Sequence, residues 1–133
     1  MLAIHIRPMA NMGDDVPDRI AEAAARQSLQ RRIPEVSEPV EFEAAVARAG
    51  AKGILLHNTP DLQMLEECAY TDEIGLFVGP EGGWSAAELR SAAEAGMRMA
   101  QLGPYRLRSE TAGIVAVARA RAVMDAGGRR RKV

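Results

Sequence analysis

Three glycines fall within five residues at Gly79-Pro80-Glu81-Gly82-Gly83, directly after an apolar run, Ile74–Val78. Glycine at that density lets a ligand approach the main chain and permits positive φ. The helix expected next would offer unpaired backbone N–H groups. The string lacks both the Lys-Ser/Thr ending of a P-loop and the G-x-G-x-x-G of dinucleotide folds, which sets nucleoside triphosphate chemistry aside. A second cluster, Arg108-Ser109-Glu110-Thr111, crowds polar side chains at an expected helix start. Its plainer reading is local: Ser109 caps, Glu110 complements the positive helix end, and Arg108 is solvated. Ala25-Arg26-Gln27-Ser28 is ambiguous alone, and His57 reads first as a hydrogen-bonding loop residue.

Short apolar runs alternate with helical stretches punctuated by Gly and Pro. Strands are expected at residues 2–6, ending at Arg7-Pro8, and at 53–57, 74–78 and 97–102. Helices are expected at 18–31, with Pro17 in the first turn, and at 41–49, with Gly50 as its stop. A helix opening at Thr59-Pro60-Asp61 should continue to about Cys68. Ser85 and Glu88 form the S-x-x-E capping box of a helix over 86–95, which Gly96 ends. A last helix spans 109–126 and stops at Gly127-Gly128. Such alternation predicts an α/β domain with a mostly parallel sheet flanked by helices. Ligands in such sheets bind beyond the carboxyl ends of the strands, here the loops 57–60, 79–83 and 103–108.

The chain has 133 residues, is 47% hydrophobic and carries a formal net charge of −1. That suits one folded core and argues against disorder. No apolar run reaches the length of a membrane span, and the N-terminus shows no secretory signal. Cys68 is alone, which excludes an internal disulfide and fits a reducing cytoplasm; with only His5 and His57 besides, no metal site is expected. Residues 1–80 are acidic and 81–133 basic, much of the excess lying in Arg129, Arg130, Arg131 and Lys132. This tail, 127–133, could meet RNA phosphates or be a solvated, frayed end.

Taken together, residues 78–89 (VGPEGGWSAAEL), 101–112 (QLGPYRLRSETA) and 23–34 (AAARQSLQRRIP) resemble the bacterial 16S rRNA uracil-N3 methyltransferase family, of the SPOUT class. The likeness covers roughly residues 20–126 within a catalytic domain at 1–126. It implies an α/β fold with a C-terminal deep trefoil knot, a homodimer, and S-adenosyl-L-methionine as cofactor. The substrate it implies is a uridine in 16S rRNA of the small ribosomal subunit, in the cytoplasm. It assigns cofactor binding to Leu56, His57, Val78, Gly79, Glu81, Gly82, Gly83, Leu102, Gly103 and Leu107. Arg31, Arg32 and Arg106 would contact RNA, Arg108 would stabilise charge on the uracil, and Glu110 would orient Arg108 or cap backbone amides, with His57 a weaker candidate for the base.

Departures accompany the match. The family's Gln-Ser/Cys-Gly-Arg string reads Gln27-Ser28-Leu29-Gln30 here, and the family residue at Tyr105 is usually basic. Family members also carry an N-terminal RNA-binding, PUA-like barrel and a further strand and helix, none recognisable before residue 15. The chain is therefore expected to begin inside the catalytic domain. The competing reading is a remnant that binds cofactor or dimerises without methylating.

Overall fold

The computed structural model describes residues 2–6, 16–68, 70 and 72–131. It divides into two compact units, Pro8–Val40 and a larger one formed by Met1–Arg7 with Glu41–Val133. Arg7 and Pro8, expected to end the first strand, lie outside the described residues, as does Lys132 of the tail.

In the smaller unit helix α1 spans Val16–Gln27, with Pro17 in its first turn. It stops four residues before the expected end at Arg31. Leu29 takes a left-handed conformation, φ 57°. The Gln30 N–H then donates to Ala25 O at 2.9 Å and the Leu29 N–H to Arg26 O at 3.3 Å. This paired closure satisfies carbonyls that the helix end leaves open, and glycine usually occupies the left-handed position. Apolar periodicity did not reveal the stop because a leucine stands there. Arg31 and Arg32 follow outside the helix, exposed.

The larger unit is built on a four-stranded parallel sheet in the order β1-β3-β2-β4. Its strands are β1 Leu2–Ile6, β2 Gly53–Leu56, β3 Ile74–Val78 and β4 Arg98–Ala100. All four were expected. Both central strands are buried, every residue of β2 included. Alternation divides their side chains between two faces. Ile54, Leu56, Ile74, Leu76 and Val78 meet Ala116 and Ala120 of helix α4, Ser109–Arg131. Phe77 turns the other way, and its ring meets Phe42 edge-on at 6.3 Å. Phe42 opens helix α2, Phe42–Ala49, which packs beside α3, Ala86–Glu94. The expected capping box starts α3: Ser85 Oγ accepts from the Glu88 N–H, and the Ser85 N–H donates to Glu88 Oε2.

Two expectations fail here. Residues 59–68 do not form an α-helix; only Leu65–Glu67 makes a turn of 3-10 helix. The competitor is Gln101. Its N–H donates to Gln63 O, its carbonyl accepts from the Leu65 N–H, and its side-chain Nε2 donates to Pro60 O and Leu62 O. Main-chain groups that a helix would have paired internally are satisfied across the sheet edge instead. Helix α4 also runs past Gly127 and Gly128 to Arg131, so the backbone there is helical rather than frayed. A helical glycine costs only about 0.5–1 kcal/mol relative to alanine, and the helix absorbs it.

Candidate cofactor site

The loops after β2, β3 and β4 converge on one open cleft of about 200 Å³. Leu56 and His57 come from the end of β2, Val78 and residues 79–84 from β3 and its loop, and Leu102, Gly103 and Leu107 from the loop after β4. All ten residues expected to bind cofactor line it.

The glycine loop divides its tasks. A Cβ on Gly79 would lie 2.8 Å from Trp84 Cε2, so this glycine makes room for the indole. Trp84 is buried against Phe42, their rings 5.3 Å apart, and its Nε1 donates to Leu56 O at 2.9 Å. The glycine loop is thereby tied to the end of β2. The Gly83 N–H closes a turn onto Pro80 O at 2.8 Å, with Gly83 at φ 79°. A Cβ on Gly82 or Gly83 would meet nothing within 4 Å, so bare main chain faces open space there.

Ser109 does not cap its helix. Its Oγ donates to Gly79 O at 2.8 Å, joining the start of α4 to the end of β3. The first helical bond runs from the Ala112 N–H to Arg108 O, which puts Arg108 at the helix boundary. Arg108 and Glu110 are exposed and are not among the residues lining the cleft, whereas Arg106 is. Arg31 and Arg32 belong to the other unit. Asn58, Pro80 and Tyr105 also line the cleft and fall within the loops expected to meet a ligand, whereas Trp84, Ser109 and Ala112 lie outside those loops and were passed over. For Trp84 the signal was present: a large aromatic next to a glycine-dense turn must lie over that turn or leave it.

The lining mixes aliphatic side chains with main-chain amides, and its ionisable side chains are His57, Glu81, Tyr105 and Arg106. Such a cleft suits a ligand with a flat apolar part recognised through the backbone. Among the described residues no group of three or more His, Cys, Asp or Glu could hold a metal ion, and no helix is long and apolar enough to cross a membrane.

The RNA methyltransferase domain family matches residues 13–121. The chain belongs to that family. Ribosomal RNA small subunit methyltransferase E of Mycobacterium bovis is 35% identical over 105 residues, covering 74% of this chain and 40% of that protein. The protein of the same name from Synechocystis is 34% identical over 114 residues, 80% of this chain and 38% of its own length. This methyltransferase-family chain thus spans about 40% of the length of the curated relatives it matches. A methyltransferase of Legionella pneumophila, solved with S-adenosylmethionine bound, superposes with a TM-score of 0.73 at 26% identity, covering 90% of this chain and 53% of that one.

Proposed function

We propose that this chain binds S-adenosylmethionine in the cleft and transfers its methyl group to N3 of a uridine in 16S rRNA of the small ribosomal subunit. The observation that carries this reading is the meeting of three strand-end loops on one cleft whose glycine wall, at Gly82 and Gly83, is bare main chain. The residues fit the cofactor. Leu56, Val78, Leu102 and Leu107 offer an apolar bed for an adenine ring, and the carboxylate of Glu81 suits a ligand bearing positive charge.

When bound, the cofactor supplies an electrophilic methyl on a sulfonium. The chain's residues hold the two reactants in line, which supplies much of the acceleration. Transfer would form the N3–CH3 bond as the S–CH3 bond breaks, leaving the neutral thioether of S-adenosylhomocysteine and passing the N3 proton to water; a guanidinium beside the uracil would stabilise the negative charge that develops. Arg108 is assigned that role, with Glu110 orienting it; Arg106, in the cleft wall, is its nearest rival. Arg31 and Arg32 contact RNA phosphates.

The same reading includes a homodimer, a trefoil knot and a cytoplasmic site of action on ribosomal RNA. For the dimer, Ile114 of α4 is 72% exposed although Ala116 and Ala120 of that helix are in the core. For the knot, the chain leaves β4 at one sheet edge, crosses the end of β3 where Ser109 is tied to Gly79, and enters α4, which contacts β3 and β1.

The test is transfer of a tritiated methyl group to unmodified 30S subunits, with the modified base identified after digestion. Label in N3-methyluridine of 16S rRNA is expected. Cofactor binding with no transfer to RNA would leave the non-methylating remnant instead.

A further inference from the structure

Leu102 and Gly103 form one side of the cleft, and the Leu102 side chain packs against the core. Gly103 sits at φ 136° and a Cβ there would meet nothing within 4 Å. The restraint on the Leu102 carbonyl comes from outside the loop. Arg119, on α4, donates from Nη1 to Leu102 O at 2.6 Å, from Nη2 to Glu66 Oε2 at 2.6 Å, and from Nε to Glu66 Oε1. One planar guanidinium thus grips a carboxylate with two donors and a cleft-wall carbonyl with a third, a geometry available to arginine and not to lysine.

The carboxylate is itself anchored. Glu66 sits on the turn Leu65–Glu67, and Leu65 is fully buried. The Leu65 N–H donates to Gln101 O at 3.0 Å, and the Tyr70 hydroxyl donates to Leu65 O at 2.8 Å. The side chains of Arg119 and Glu66 are 27% and 37% exposed, so water screens the pair only in part. The hydrogen bond from Arg119 holds the Glu66 carboxyl below its ordinary range, so the pair stays charged at neutral pH.

We propose that Arg119 is a positioning residue for the cofactor cleft: held by Glu66, its guanidinium fixes the Leu102 carbonyl and so sets where the Leu102–Gly103 wall stands. This rests on the cleft being the S-adenosylmethionine site. Nothing in the glycine or LRSETA strings points to residue 119, which lies about two helical turns beyond Ala112; only the course of α4 past Leu102 brings it there.

Titration calorimetry with S-adenosylhomocysteine, paired with thermal melts, tests it on the full chain. Arg119→Leu should weaken binding roughly tenfold, the loss expected of one charge-assisted hydrogen bond. Arg119→Lys keeps the attraction to Glu66 but cannot span both partners, and should weaken binding nearly as much while melting close to the wild type. This variant keeps the test decisive if the leucine variant fails to fold. Val46→Ala, which hollows the buried side of α2, should lower the melting temperature and leave affinity unchanged. A wild type that binds S-adenosylhomocysteine, with both Arg119 variants binding equally well, overturns the proposal alone. A wild type that does not bind it removes the cofactor reading and the proposal together.

Discussion

Gly79 and Gly82 stand three positions apart in one loop, and the space around them differs completely. The Cβ of an alanine at 79 would collide with the Trp84 ring, whereas position 82 has open space on that side. Gly79→Ala should therefore displace the indole and strain its bond to Leu56 O, costing about 1–3 kcal/mol as overpacking does. Gly82→Val should melt like the wild type but bind S-adenosylhomocysteine at least tenfold more weakly, since its branch extends over the cleft. Melting and calorimetry on the two variants separate these effects; equal affinity in a folded Gly82→Val would take that wall out of the site. Arg106 and Arg108 call for a kinetic test. If Arg108 stabilises the uracil charge, Arg108→Lys should lower kcat with little change in KM for RNA. A raised KM at normal kcat would assign Arg108 to holding RNA, and the same pattern of loss in Arg106→Lys would move the chemical role to the cleft wall.

At the level of elements, α1 ends on a residue poorly suited to its conformation. Leu29 is 88% exposed and left-handed, so its side chain gains little from packing while its backbone is strained. Leu29→Gly should raise stability by about 1 kcal/mol, because the left-handed penalty for a residue with a Cβ is removed while the closing bonds to Ala25 and Arg26 remain. A denaturant midpoint that moves down would mean the leucine is held by contacts of its own. The segment 59–64 carries the opposite lesson: a proline after threonine reads as a helix start, yet Gln101 draws those carbonyls to the sheet edge.

For the whole molecule, Glu66 sets an acid limit, and Tyr70, together with the Cys68 thiol that burial also pushes up, sets an alkaline one. Glu66 is held below its ordinary 4.5 by the Arg119 hydrogen bond, so its contribution is present above that value and lost as pH falls through the lower folded one. Burial pushes Tyr70 from 10.0 up to about 12, so its contribution is present below 10 and lost as pH rises through about 12. Stability should thus be flat through neutrality and fall at both ends. Glu66→Gln should flatten the acid limb and Tyr70→Phe the alkaline limb; limbs unchanged in these variants would assign the titration to other groups. The dimer is a property of the same scale. Light scattering should report twice the 14.3 kDa chain at micromolar concentration, and a species of 14.3 kDa alone would remove the dimer from the proposal.

The four strands and the convergence of their loops were legible in the residues alone, although β4 is shorter than expected. Apolar runs of four or five residues bounded by turn residues suit the middle of a covered sheet, and parallel strands bring their carboxyl ends to one edge. The capping box of α3 was equally legible, because Ser85 and Glu88 satisfy each other within one turn. What lay beyond the reach of the sequence were the partners separated by many residues. Whether residues 59–68 coil depends on Gln101, whether Ser109 caps depends on Gly79 O, and whether Gly79 serves a ligand or a ring depends on where Trp84 lies. In each case a local preference worth about 1 kcal/mol meets a bond or contact of similar size supplied from elsewhere in the chain. At such a balance only the tertiary structure decides.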